Sequence, residues 1–223
     1  MHETDITKRP KPDADDVAHA FKKAGLSAIP GVGGPASELF SLVVTPSLEK
    51  RRDEWIESIG KALKALEEKT EGFKIENLKN NEAFVSVLMQ ASQTAIRNHQ
   101  KEKLEALRNA VLNATLPNAP EEDLQLMFLT IVDSLTPSHL KLLKRLDEAK
   151  IMDMEVPKSF FFDSKARQGL WHQSIKDLRA HGLTYLESPW EGTTGRTHVD
   201  EGQNVTNFGK KFLAFITSPF YYE

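Results

Sequence analysis

Apolar residues return along this chain at helical intervals, and the breaks between the runs are marked by proline, glycine and asparagine. Thr45-Pro46 reads as a helix cap with proline at the first helical position. Leu48, Trp55, Ile59, Leu63 and Leu66 follow at spacings of seven, four, four and three, which puts them on one face of a long helix. The opposite face mixes acids and bases from Glu49 to Glu68. Within it, Lys50-Arg51-Arg52 reads as part of a solvated face laced with i,i+4 pairs rather than as a phosphate site. Gly72 ends that helix. A second begins near Asn80-Asn81 and carries Phe84, Val87, Leu88, Ala91 and Ala95, continuing through Leu104, Leu107, Val111 and Leu112. Asn98 to Glu102 interrupts the spacing and predicts a kink or break. Asn113 to Pro120 is a turn, and Glu121, Glu122 and Asp123 are acids suited to the start of a helix holding Leu126, Met127, Leu129, Ile131 and Val132. Four or five helices packed on one another are the natural way to bury these faces.

The last third carries a different order. Thr136-Pro137 repeats the cap-plus-proline signal, and Leu140, Leu143 and Leu146 form the inner stripe of the helix it opens. After an irregular stretch in which Phe160-Phe161-Phe162 is expected to reach the core, a helix over 164–181 should bury Leu170, Trp171, Ile175 and Leu178. Gly182 is placed as its left-handed C-terminal residue. Leu183 to Glu187 reads as a short strand, Arg196 to Val199 as its partner, and Glu191 to Gly195 as the loop between them. A final helix is capped by Thr206 or Asn207 and packs through Phe208, Phe212, Leu213 and Ile216. Helix, helix, hairpin, helix is the outline of a winged helix. The expected fold is therefore mainly α: a polar leader with a short helix over 1–24, a helical bundle over 25–134, and a winged-helix-like domain with a small β-hairpin over 135–223.

Gly25 to Val44 contains one charged residue, Glu38, and has the length of a membrane span. Pro30, Gly31, Gly33, Gly34 and Pro35 in its middle make it a poor spanning helix, because lipid-exposed backbone must be paired. We read it as a turn leading into a short buried helix from Pro35 to Val44. Membrane insertion after a conformational change is the sharper alternative. Met1 to Asp16 lacks the apolar core of a signal peptide, and the chain has no cysteine, so a reducing cytoplasm is the expected setting.

Charge narrows the class of partner. The chain carries 29 basic and 32 acidic residues, and from Thr136 to Glu223 the balance is 12 to 11. Dedicated nucleic-acid binders are usually more basic, since phosphate neutralisation supplies most of their affinity. In a DNA-binding winged helix the second-to-last helix presents its outer face to the major groove. Here that face would comprise Lys165, Arg167, Gln168, His172, Gln173, Lys176 and Arg179, with Arg196 and His198 on the wing. The same residues serve equally as a protein-contact surface or as the solvated side of a helix, with Asp163 and Asp177 diluting the charge. No metalloprotease, nucleophile-elbow, P-loop or dinucleotide motif is present, and Gly31-Val32-Gly33-Gly34 is neither preceded by a strand nor followed by Lys-Ser/Thr. The seven histidines are scattered, with His99 and His139 read as surface or cap residues. We therefore expect no catalytic, metal or cofactor site. The expected partner is another protein or a second copy, with double-stranded DNA and membrane as the alternatives.

Several short pieces bear a family likeness. Gly33-Gly34-Pro35 precedes a charge-rich helix, and Leu104-Glu105-Ala106-Leu107-Arg108-Asn109-Ala110-Val111-Leu112-Asn113-Ala114 follows. Then come the Leu135-Thr136-Pro137 helix, Asp177-Leu178-Arg179-Ala180-His181-Gly182-Leu183, and Phe208-Gly209-Lys210-Lys211-Phe212. Over residues 25–216 this order resembles the Abi-alpha family of bacterial proteins associated with abortive phage infection. The resemblance implies an all-helical protein of defence or stress context and supplies no catalytic residues.

Overall fold

Helix α1 (Pro46–Lys69) begins at the proline that the cap signal pointed to, since a residue without an N–H loses nothing at a helix start. It is one of seven α-helices in a computed structural model that describes residues 46–148, 165–186 and 204–221. The chain divides into two compact units, Met1–Arg51 and Arg52–Glu223, and the account below concerns the second. Trp55, Ile59, Leu63 and Leu66 are all buried, the stripe expected from their spacing. The Trp55 indole N–H donates to Ser92 Oγ at 2.8 Å, which fixes α1 against the next helix. Gly72 adopts a φ of 80° where the chain turns, and a 3-10 turn (Ile75–Asn80) leads onward.

Helix α2 (Glu82–Arg97) is capped by Asn81, whose side chain accepts from the Phe84 N–H at 3.0 Å. The expected interruption is a true break, because Asn98, His99 and Gln100 separate α2 from α3 (Lys101–Asn113). Helix α4 (Glu122–Ser134) opens on Glu122 and Asp123, acids placed at the positive end of the helix dipole. Helix α5 (Pro137–Glu148) again starts at proline, followed by α6 (Lys165–Ala180) and α7 (Asn207–Ile216). The fold is mainly helical, as the periodicity required. Helices α2, α3 and α4 pack on one another, and α7 packs on both α3 and α4. Phe128 of α4 meets the rings of Phe208, Phe212 and Phe215 at 5.2–5.6 Å, so the last helix is built into the bundle core.

Two details depart from expectation. Leu170 was expected in the core and is 66% exposed, and Met127, counted with the apolar stripe of α4, is 51% exposed. Both sit beside residues that satisfy the helical stripe without them (Trp171 and Phe128), and a surface helix needs only three or four apolar positions per two turns. The expected hairpin is the second departure. Among the described residues there is no continuous strand, only one antiparallel bridge, and it joins Thr184 to Val205. Arg196 to Val199, the partner read from the sequence, lies outside the described residues, as do the loop from Glu191 to Gly195, Phe160-Phe161-Phe162 and Gly25 to Val44.

Around that bridge the backbone is closely tied. Leu183 N–H bonds the Leu178 carbonyl at 2.9 Å and Gly182 N–H bonds Arg179 at 2.8 Å, the paired bonds of a Schellman end with Gly182 at φ 70°. Tyr185 N–H donates to the Asn204 carbonyl, and Thr206 N–H donates to the Leu183 carbonyl, both at 3.1 Å. The Thr206 hydroxyl then accepts from Gly209 N–H at 2.8 Å as the cap of α7. Gly209 itself is crowded: a Cβ built on it would lie 2.2 Å from the Leu183 carbonyl oxygen and 2.7 Å from Val205. Only glycine lets α7 begin this close to the bridge.

Candidate functional site

Helix α6 is the element that the sequence nominated, and its inner face is Trp171, Ser174, Ile175 and Leu178, all buried. The side chains that hold it against α5 and α4 are polar. His139 lies three residues past Thr136 at the start of α5, where a side chain can reach back over the first turn. Its Nδ1 accepts from Thr136 N–H at 3.1 Å and lies 2.7 Å from the Thr136 hydroxyl. This is one half of a capping box, the reach of the third helical residue back to the cap N–H, with histidine in the position that glutamate or glutamine usually takes. With Nδ1 accepting, Nε2 carries the proton of the neutral ring and donates to Asp177 Oδ2 at 3.2 Å. The other oxygen of Asp177 accepts from Gln173 Nε2 at 2.7 Å. One buried imidazole therefore caps α5 and grips α6 at once.

A second contact lies one turn further along α6. His181 Nε2 is 3.1 Å from Ser134 Oγ at the end of α4, and that hydroxyl also donates to the Ile131 carbonyl at 2.9 Å. On the bundle side of the same elbow, Arg97 of α2 pairs with the Asp133 carboxylate at 3.0 Å. Lys103 of α3 donates to the Asp133 carbonyl at 2.8 Å. Lys103 is only 5% exposed. Burial pushes its ammonium below the ordinary lysine range, the Asp133 carboxylate opposes that shift, and the Arg97 charge adds to it. A cation at the C-terminal end of α4 also meets the negative end of the helix dipole. The elbow between α4 and α5 is thus held from α2, α3 and α6.

The nine residues expected to form a contact surface fall into three groups. Gln173, Lys176 and Arg179 are exposed on α6, with Gln173 spent on Asp177. His172 is half-buried, its ring set edge-on to Trp171 at 5.0 Å and 76°. Lys165, Arg167 and Gln168 belong to the first turn of α6, and their side chains lie outside the described residues, as do Arg196 and His198. Two further features were not read from the sequence. Leu170 stands exposed, and the buried Trp171 indole N–H has no acceptor among the described residues.

Most polar contacts at this elbow were not anticipated, yet the sequence held a signal for some of them. Lys103, Leu107, Ala110 and Asn113 lie three and four apart on one stripe of α3, so a lysine and an asparagine interrupt a core face. A buried polar group in such a stripe needs a specific partner. Asn113 finds it in α7: its Nδ2 lies 2.8 Å from the Phe215 carbonyl, 2.7 Å from Thr217 and 3.3 Å from Ala214. Asn109, one turn earlier, donates to the Ile216 carbonyl at 3.0 Å. Together they satisfy carbonyls that the end of α7 leaves open.

Among the described residues no group of three or more His, Cys, Asp or Glu is placed to hold a metal ion. None of the described helices is long and apolar enough to cross a membrane. Comparison of the chain with protein-family models, with curated proteins and with solved structures gives no match.

Proposed function

We propose that this chain is a non-enzymatic bacterial protein of the cytoplasm that works by docking a protein partner on α6, within a winged-helix-like arrangement of α5, α6 and the segments that follow. The observation that carries the reading is Leu170. It is 66% exposed on the flank of α6 that also holds Asp177, in a helix whose inner face is complete without it. An exposed leucine beside a carboxylate is chemistry suited to a protein surface, whereas a carboxylate and an apolar side chain repay little against phosphate. The antiparallel bridge at the base of residues 185–204 supports the winged-helix-like element, because a wing requires the chain to leave the second helix and return beside itself. The resemblance to Abi-alpha proteins supports phage defence as the setting.

The test is affinity capture with the full chain and with Leu170→Asp, from phage-infected and uninfected bacterial cells. A partner retained by the wild type and lost by the variant, with unchanged melting, is the expected result. Identical sets of captured proteins from both chains would sink the reading. DNA binding is the second reading, favoured by exposed Lys176 and Arg179 on the same helix. Duplex binding that falls with added salt and weakens in Lys176→Ala and Arg179→Ala would favour it over a protein partner.

A further inference from the structure

We propose that the outer face of α2 is where two copies of this chain meet, as an antiparallel helix pair about a two-fold axis beside Met89. The face is separate from α6 and does not depend on the partner reading. Glu82, Val85, Met89, Gln93 and Arg97 recur along α2 at spacings of three and four, and all five are exposed. Met89 is 58% exposed and Val85 39%, so the middle of the stripe is apolar. Methionine is a side chain that adapts its shape to a partner surface. Beside it runs an open groove of about 490 Å3, walled by Met89, Gln90 and Gln93 of α2 and by Thr130 of α4.

The charges at the two ends of the stripe decide what covers it. Gln90 Nε2 donates to the Leu126 carbonyl at 3.2 Å and to the Thr130 hydroxyl at 3.0 Å, and Arg97 pairs with Asp133. Helices α2 and α4 therefore run side by side in the same direction, which sets Glu122 and Asp123 of α4 toward the same end as Glu82. Lys79, in the turn before α2, offsets one of these charges and leaves that end acidic. The other end is basic. Arg97 spends Nε on the Gln93 carbonyl and Nη2 on the Asp133 carboxylate, while Nη1 has no partner among the described residues. The Lys103 ammonium, bonded to the Asp133 carbonyl, adds a second cation. A stripe that is acidic at one end, apolar in the middle and basic at the other complements itself when reversed. Met89 stands seven residues after Glu82 and eight before Arg97. A two-fold axis there sets each Glu82 against Arg97 of the second copy and the two methionines against each other, with the helix dipoles opposed. A partner of one charge sign would suit one end and be repelled by the other.

The experiment is sedimentation equilibrium of the full chain from the micromolar range up to about 500 μM. One helix pair is a small interface, so a reversible dimer with a dissociation constant of about 10–100 μM is expected. Met89→Glu should weaken it by about tenfold or more, by placing two carboxylates at the axis. Glu82→Arg and Arg97→Glu should each sediment as monomers, while an equimolar mixture of the two should dimerise, because the mixed pair restores opposite charges at both ends. Circular dichroism of each variant checks that the fold is kept. The chain has no cysteine, so Met89→Cys gives a direct readout: mild oxidation should link it into a dimer, and Leu170→Cys should stay monomeric under the same conditions. A wild-type chain that is monomeric at 500 μM overturns the proposal. So does a dimer untouched by Met89→Glu, a mixture of the charge variants that stays monomeric, or a dimer lost in Leu170→Asp instead, which would put the interface on α6.

Discussion

Gly209→Ala is the sharpest single test of this structure, because one methyl group meets three atoms at once. The new Cβ would lie 2.2 Å from the Leu183 carbonyl oxygen, 2.7 Å from Val205 Cγ1 and 3.0 Å from the Leu183 carbonyl carbon. Ordinary contact begins at 3.4 Å, so the start of α7 must withdraw by about 1.2 Å from backbone that cannot rotate away. Withdrawal stretches the Thr206 N–H bond to Leu183 (3.1 Å) and the Thr206 hydroxyl bond to the Gly182 carbonyl (2.6 Å). Overpacking costs about 1–3 kcal/mol and a lost hydrogen bond about 1 kcal/mol, against a small propensity gain for alanine. The expected net loss is roughly 2–4 kcal/mol, or about 5–15 °C in a chain of this size. The assay is thermal melting by circular dichroism, repeated in urea to check that the m-value is unchanged. Gly60→Ala is the matched control: the position lies inside α1 with nothing within 4 Å of a new Cβ. It should stabilise by about 0.5–1 kcal/mol. If Gly209→Ala melts with the wild type, the close approach of α7 to the bridge is wrong, and with it the packing argued for the C-terminal segment.

Three further outcomes follow from the polar contacts. Asn113→Ala should cost about 2–3 kcal/mol, because carbonyls at the end of α7 lose a buried donor; urea unfolding measures the loss, and hydrogen exchange should rise first in the last turn of α7. His139→Ala should cost about 1–2 kcal/mol by uncapping α5, with Asp177→Asn milder because Gln173 can still bond there; equal losses would argue that the imidazole cap contributes nothing. Lys103 has its folded-state pKa lowered, so between that value and 10.5 the unfolded chain binds more protons than the folded one. Stability should therefore gain a contribution as pH climbs through that window, and Lys103→Met should lose this alkaline gain in pH-dependent urea melts. An unchanged pH profile in the variant would mean that the ammonium is hydrated rather than buried.

The helices were legible wherever two signals coincided. Asn81 before Phe84, Pro46 and Pro137 at helix starts, and Gly182 after Leu178 each combined punctuation with periodicity, and each stands where it was expected. The pairing of Thr184 was not legible. A bridge of one residue pair leaves no alternating pattern, and the partner Val205 sits 21 positions away beside a cap already assigned to the next helix. Leu170 misled because one apolar residue at the edge of a stripe looks the same whether it is covered or bare. The His139 contacts were half visible, since a histidine near a helix start reads as a cap, while its bond to Asp177 needs two helices brought together. Glu102 shows the same limit: its carboxyl is held below the ordinary range by the Lys141 ammonium at 2.6 Å, a partner 39 residues on.

The bonds from Asn109 and Asn113 to α7 also set an order of assembly. They join residues separated by 107 and 102 positions in the chain, and Phe128 likewise waits for three rings of the same late helix. During synthesis α2, α3 and α4 emerge with two asparagines and a phenylalanine unmatched on their inner faces. Loop closure over that span must precede the contacts that repay it, which slows folding. The bundle therefore closes only when α7 docks, and its folding is coupled to a helix made long after the ones it covers.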